Sequence, residues 1–217
     1  MISLENVSKS YQLNGQPRAI LKEQSLYLQG GYSYGLMGVN GAGKSTTIRL
    51  LAGIELPDKG IVRREARVSW PLGFSTGFNT MMSGRENLKF VARAYGENPK
   101  YVLDFVADFA EIGAYVNQPM RTYSSGMMAR FAFGLSMAID FDCYLVDEIT
   151  FVGDARFQKK CETVFRQKRD HCDVILVSHD MATISKLCDR GLVLVDGELI
   201  PFERVDDAVA TYMRLNK

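Results

Sequence analysis

Apolar and polar residues alternate from Ile2 to Val7 and again from Leu26 to Leu28, with Asn14-Gly15 between the two stretches and Gly30-Gly31 after them. A period of two predicts short antiparallel strands joined by turns, a β-rich N-terminal layer. Tyr34 to Met37 is an unbroken apolar run, read as a buried strand, and Thr47-Ile48-Arg49-Leu50-Leu51 opens a helix. Gly53 and Pro57-Asp58-Lys59-Gly60 interrupt the pattern, and Ile61-Val62 and Val68-Ser69-Trp70 predict further strand before Pro71.

The pattern then turns helical. Ser83-Gly84-Arg85-Glu86 has capping-box spacing, Leu88, Val91, Ala92 and Tyr95 follow at intervals of three and four, and Val102, Phe105, Val106 and Phe109 form a second stripe. Helices over roughly 83–116 are therefore expected, as an insert between the halves of an α/β core, their stripes serving as core packing. A largely buried helix is expected from Met128 to Ile139, and another carries Phe157, Cys161, Val164 and Phe165 on one face. Cys143 to Val146 and Val174 to Val177 read as buried strands, Asp196-Gly197 marks a hairpin, and Val205 to Leu215 closes the chain as a helix.

Composition narrows the partners. Among 217 residues, 26 Lys and Arg face 25 Asp and Glu, a net charge of +1 with no block of five like charges. A nucleic-acid partner is not expected, because polyanion binders cluster basic residues. Cys143, Cys161, Cys172 and Cys188 lack CxxC or metal-ligand spacing and read as reduced packing thiols. With neither a signal-peptide pattern nor 18 consecutive apolar residues, the chain is expected to be neither secreted nor membrane-spanning.

The chemistry starts at Gly38-Val39-Asn40-Gly41-Ala42-Gly43-Lys44-Ser45-Thr46, which lies where a strand gives way to a helix. The spacing GxxxxGK[S/T] in that setting is a phosphate loop: glycines let backbone N–H groups converge on a polyphosphate at a helix N-terminus. Lys44 is positioned to reach the β- and γ-phosphates and Ser45 to ligate Mg2+. Asp147-Glu148 follows one buried strand and Ser178-His179-Asp180 another, so their side chains belong to the carboxyl edge of the sheet, where ligands of open α/β sheets bind. Asp147 is then a magnesium ligand, often through water, and Glu148 the residue that polarises an attacking water. Ser124-Ser125-Gly126 is equally an N-cap and a second set of anion-binding donors. Tyr11, on the first strand, could stack on a purine or pack on the sheet.

Together, the phosphate loop, Tyr123-Ser124-Ser125-Gly126-Met127, Leu145-Val146-Asp147-Glu148 and Val177-Ser178-His179-Asp180 resemble, in order and spacing and over essentially the whole chain, the ATP-binding subunits of ABC transporters. The resemblance implies a P-loop NTPase (RecA-like) α/β core with an N-terminal antiparallel β layer and an inserted α-helical subdomain. As a single nucleotide-binding domain it would have 1–82 and 124–217 as catalytic core and about 83–123 as helical subdomain. It further implies ATP and Mg2+, a head-to-tail dimer sandwiching two ATP molecules, Ser124, Ser125 and Gly126 completing the partner copy's site, Asp154 as the dimer-bridging residue, His179 and Lys44 as catalytic residues, and Tyr11 stacking on adenine.

The chain departs from the family's usual Leu-Ser-Gly-Gly-Gln, with Ser125 for the first glycine and Met127 for the glutamine, so both serines are candidates for the γ-phosphate. Where the family has a glutamine near the lysine and magnesium, this chain has Asn79, one methylene shorter, kept as a nucleotide and metal candidate.

Tyr-Ser-Ser-Gly-Met, Val152-Gly153-Asp154-Ala155-Arg156-Phe157 and Ser83-Gly84-Arg85-Glu86-Asn87 resemble the polysaccharide-exporting branch. Val68-Ser69-Trp70-Pro71-Leu72-Gly73 and Phe90-Val91-Ala92-Arg93 are most similar to capsular-polysaccharide export ATPases of Gram-negative bacteria. O-antigen or teichoic-acid exporters are the alternative within the branch, although O-antigen relatives often carry an extra carbohydrate-binding domain, for which this chain is expected to be too short. A soluble, non-transport ABC ATPase is the alternative of another class. The implied partners are a second copy and two copies of an integral membrane permease; the apolar residues near Phe78, Asn79, Met81 and Met82 suit either a docked permease helix or interior packing. Periplasmic and outer-membrane components would be reached through the permease, which would also make the main contacts with the polysaccharide. The implied location is peripheral, on the cytoplasmic face of the inner membrane.

Overall fold

The computed structural model describes residues 1–13, 15–72, 77–147 and 153–216. The chain divides into two compact units: Met1–Pro71, Phe141–Ile149 and Cys172–Lys217 make one, and Leu72–Asp140 with Thr150–His171 the other.

The first unit holds two sheets. An antiparallel sheet has the order β2-β1-β4, from β1 (Ile2–Leu13), β2 (Gln16–Leu28) and β4 (Lys59–Arg64). The second has the order β5-β6-β7-β3-β8-β9, from β3 (Tyr34–Met37), β5 (Val68–Pro71), β6 (Cys143–Asp147), β7 (Asp173–Val177), β8 (Arg190–Val195) and β9 (Glu198–Phe202). All neighbours in it run parallel except β8 and β9, a hairpin through Asp196-Gly197, both with positive φ. The apolar runs lie where their lack of alternation predicts, with Leu36, Leu145, Ile175, Val177, Leu192 and Leu194 all buried. Helix α1 (Lys44–Ala52) adds Ile48 and Leu51 to this core, and α6 (Met181–Leu187) and α7 (Val205–Leu215) belong to the same unit. The β5–β6 register shifts between Val68 and Pro71; there the buried Ser69 hydroxyl accepts from the Leu145 N–H at 2.9 Å, satisfying a donor that the shifted ladder leaves over.

The second unit is helical: α2 (Gly84–Ala94), α3 (Pro99–Ala110), α4 (Ser125–Ala138) and α5 (Ala155–Arg169). Each begins where a side chain satisfies its open amides. Ser83 and Glu86 form the expected capping box on α2, Asn98 accepts from Lys100 and Tyr101 at α3, Ser124 accepts from Met127 at α4, and Asp154 from Phe157 at α5. The predicted stripes meet in an aromatic core: Phe109 stacks on Phe105 and Phe133, centroids 5.8 Å apart in both cases, and meets Phe157 edge-on at 5.3 Å. Among the described residues no helix is long and apolar enough to cross a membrane. All four cysteines are thiols, and burial pushes Cys143 up to about 12, as befits a packing residue.

Candidate functional site

The carboxyl end of β3 runs directly into the glycine-rich turn and α1. Gly38 and Gly43 are fixed by space: a Cβ on Gly38 would lie 2.7 Å from the Leu194 carbonyl oxygen, and one on Gly43, whose φ is +110°, would lie 2.3 Å from Ile20 Cγ2. Strand β2 thus presses on the turn and holds it open toward one side. Lys44, 9% exposed, folds over the loop and donates from Nζ to the carbonyls of Gly38 at 2.7 Å and Val39 at 3.2 Å. The Gly43 carbonyl takes the Thr47 amide at 2.9 Å and the Thr47 hydroxyl at 3.0 Å, which anchors the first turn of α1.

A cavity of about 460 Å³ opens over this turn. Asn40, Gly41, Gly43, Lys44, Ser45 and Thr46 line one side of it, and Asp147 from the end of β6 and His179 from just beyond β7 line the other, with Ile20 and Val177 as apolar wall. Because β6, β7 and β3 are adjacent and parallel, their carboxyl ends open on one edge, and that places eight of the sequence candidates, Asn40, Gly41, Gly43, Lys44, Ser45, Thr46, Asp147 and His179, around one space. Gly38 and Ala42 are in the same turn. Glu148 lies outside the described residues, as do Asn14, Gly73 and Val152 of the expected turn and motifs.

The cavity suits a magnesium-bound polyphosphate: it has a helix N-terminus with glycine amides, a cation on one side, and the hydroxyl of Ser45 and carboxylate of Asp147 as hard oxygen donors on the others. Among the described residues no group of three or more His, Cys, Asp or Glu is gathered for a metal.

Tyr11 is on β1, paired in register with Arg18 on β2. Its hydroxyl donates to the Glu55 carboxylate, Lys9 Nζ sits 5.4 Å from its ring centroid, and the residue is 40% exposed, leaving ring surface open. Arg18 in turn donates from Nη2 to the Gly41 carbonyl at 2.8 Å. Arg18 thus joins the phosphate loop to Tyr11, and Ile20 lies against Gly43 in the cavity wall; sequence reasoning missed both, because their partners depend on the register of the hairpin, which the alternation of β2 alone does not specify.

Asn79, Ser124, Ser125, Gly126 and Asp154 belong to the helical unit. Ser124 caps α4 at 3.2 Å from the Met127 amide, and Ser125 and Gly126, both exposed, form its first turn. Asp154 accepts from the Phe157 amide at 2.9 Å and from Arg130 Nη2 at 3.0 Å, and these bonds, the Phe157 amide foremost, hold its carboxyl below the usual range. Arg130 also lies over the Phe157 ring at 4.4 Å. The Asn79 side chain is engaged locally, accepting from the Met81 amide at 3.0 Å.

A family model described as ABC transporter matches residues 21–151. The chain is 43% identical over 217 residues to the ATP-binding protein BexA of Haemophilus influenzae, covering 100% of both. It is 44% identical over 215 residues to the capsule polysaccharide export ATP-binding protein CtrD of Neisseria meningitidis serogroup B, covering 99% of this chain and 100% of that protein. A solved structure of the ATP-binding cassette MJ0796, a dimeric post-hydrolysis state bound to ADP and Pi, superposes with a TM-score of 0.72 at 21% identity, over 94% of this chain and 99% of the other, and so has the same fold.

Proposed function

The chain belongs to the ABC transporter family, and from that premise we propose that it is the ATP-hydrolysing subunit of an exporter carrying a lipid-linked capsular polysaccharide across the inner membrane. Proteins named for O-antigen and teichoic-acid export match at lower identity, which favours the capsular reading. The observation that carries the chemistry is the cavity that gathers the phosphate loop, Asp147 and His179.

In this reading the amides of Gly41, Gly43, Lys44 and Ser45 hold the β-phosphate, and Asn40, Ala42 and Thr46 keep the loop and its rim in shape. Lys44 exchanges its bonds to the Gly38 and Val39 carbonyls for bonds to phosphate oxygens, so its charge is already desolvated and aimed where negative charge develops. Ser45 and Asp147 would hold Mg2+, which would supply Lewis-acid neutralisation of phosphate charge; Asn79 is a further candidate. Glu148, next after Asp147 in the chain, polarises the attacking water, and His179 senses the γ-phosphate from the end of β7. Tyr11 stacks on adenine. Ser124, Ser125 and Gly126 reach the γ-phosphate held by a second copy, with Asp154 bridging the two.

The domain reading is one nucleotide-binding domain, with 1–82 and 124–217 as core and about 83–123 as helical subdomain. Two copies would sit against two permease subunits on the cytoplasmic face of the inner membrane, contacting them through Phe78, Asn79, Met82 and Met81, the last 67% exposed. Periplasmic and outer-membrane components, and most contacts with the glycan, would belong to the permease. Lys44→Ala tests the centre of this reading: ATP hydrolysis by the purified protein should fall by about 100-fold or more while an integral membrane protein still co-purifies. Wild-type turnover in the variant, or the absence of any membrane partner from the wild-type preparation, would overturn it.

A further inference from the structure

Asn87 is a buried amide with an unusual division of labour. At 4% exposure it makes no contact with solvent worth counting, yet all its bonds go to backbone: Oδ1 accepts from the Asn79 N–H at 2.9 Å, and Nδ2 donates to the Asn79 carbonyl at 3.0 Å and the Ser83 carbonyl at 2.9 Å. One side chain on α2 therefore grips both the donor and the acceptor of a single residue in the preceding loop. Its amide orientation is fixed, because a flipped amide would set nitrogen against N–H and oxygen against two carbonyls.

The gripped loop is itself zipped to a second segment. Arg121 N–H donates to the Thr80 carbonyl and Met120 N–H to the Met82 carbonyl, both at 2.9 Å, and Ser83 bridges Pro119 in antiparallel sense. Three residues beyond Arg121 comes Ser124, the cap of α4. Aromatic packing closes the same connection from behind: Phe131 of α4 meets Phe78 edge-on at 5.3 Å and Tyr123 at 5.9 Å.

We propose that Asn87 is a positioning residue: it holds the segment 78–83 in the shape in which the backbone ladder ties that segment to the chain leading into Ser124–Gly126, so that the two move as one block and a partner pressing on Met81 displaces the phosphate-binding serines directly. The inference rests on the exporter reading above, in which a permease helix meets Met81 and the serines complete a second copy's site. Neither Asn87 nor the ladder touches nucleotide in that reading; they decide whether the partner's push arrives.

Asn87→Ala removes the grip while leaving a strong helix former in α2. In the complex with its permease, the variant should lose about tenfold of the partner-stimulated ATP hydrolysis, a coupling loss of ordinary allosteric size. The KM for ATP of the subunit without permease should stay within about twofold, and exchange of the Asn79 amide hydrogen should quicken by about tenfold. Stimulation retained in spite of faster exchange overturns the proposal, and so does unchanged exchange. A second variant does not depend on Asn87: Thr80→Cys/Arg121→Cys, joined by a short bis-maleimide, should keep its stimulation within about twofold, since the two segments already move together. Loss of stimulation on crosslinking overturns the proposal. If the wild-type subunit is not stimulated by any permease, it is the exporter reading that fails, and the block falls with it.

Discussion

Tyr11 owes its orientation to charge rather than to packing. Its hydroxyl donates to a Glu55 carboxylate that also takes Arg49 Nε at 3.1 Å and Lys9 Nζ at 3.2 Å, so the phenol end is fixed while the ring face stays open beside Arg18. If that face carries adenine, the ring matters and the hydroxyl is secondary. Tyr11→Ala should weaken ATP binding by about tenfold, the cost of losing one base–aromatic stack, and Tyr11→Phe by no more than about threefold. Titration with a fluorescent ATP analogue separates the two, and an alanine variant that binds as tightly as wild type would remove Tyr11 from the site. Lys44, Ser45, Asp147 and His179 were legible in the sequence because each sits in a local motif whose strand setting could be read beside it. Arg18 was not, because its contact with Gly41 exists only through the β1–β2 register. Asn87 was visible only as the last residue of the motif Ser83-Gly84-Arg85-Glu86-Asn87; that its amide turns back onto Asn79 depends on the path of the loop.

The fastening of β1 to the connection between α1 and β4 is an element built from ion pairs, and its pH response has a definite sign. Asp58 accepts from the Ser10 amide at 2.7 Å and the Ser10 hydroxyl at 2.8 Å, and these bonds, the hydroxyl first, hold its carboxyl low. For Glu55 burial pushes the carboxyl up, but bonds from Tyr11, Arg49 and Lys9 outweigh it, and the net shift is downward. A carboxyl lowered in the folded state contributes stability that is present above its ordinary value, here 4.5 for Glu55 and 3.8 for Asp58, and is lost as pH falls through the folded value. Wild type should therefore lose stability steeply below about pH 4.5, and Glu55→Gln, weaker at neutral pH, should lose less over the same acid interval. Urea midpoints at neutral and acid pH measure this; parallel acid loss in the two proteins would show that the Glu55 pairing contributes nothing. The same cluster explains how β1 runs on to Leu13, past the apolar alternation that ends at Val7. Its distal half is mostly exposed and is held by hydrogen bonds and ion pairs, which leave no apolar period in the sequence. Helix α6 went unread for a related reason: in 7 residues it buries only Ile184, too little to show a period, and only the Asp180 cap announces it.

At the scale of the whole molecule, alternating apolar strands and helical stripes were enough to read an α/β sheet with a helical insert, since burial on both faces leaves a strand no polar side. Ser124–Gly126 and the phosphate loop belong to different compact units of the chain, and the sequence order of the motifs does not decide whether the serines act in their own copy's site or, as proposed, in a second copy's. A head-to-tail pair and a self-sufficient subunit give opposite results when two defects are distributed differently. Let one subunit of a tethered dimer carry Lys44→Ala and the other Gly126→Asp, which sets a carboxylate where phosphate should bind. If each site joins one subunit's loop to the other's serines, both defects fall in one site and the second site is intact, so about half of wild-type turnover remains where the two sites act independently. Placing both substitutions in one subunit then spoils both sites and leaves background only. A subunit that completed its own site would reverse the pattern, with background for the divided pair and about half activity for the combined one. ATP hydrolysis by the two tethered forms, each purified intact, therefore decides the matter, and we expect the divided pair to be the active one. The Gly126 position suits the test because a Cβ there would find nothing nearer than the Ser124 hydroxyl at 4.0 Å, so the substitution alters charge at the serine turn without disturbing α4.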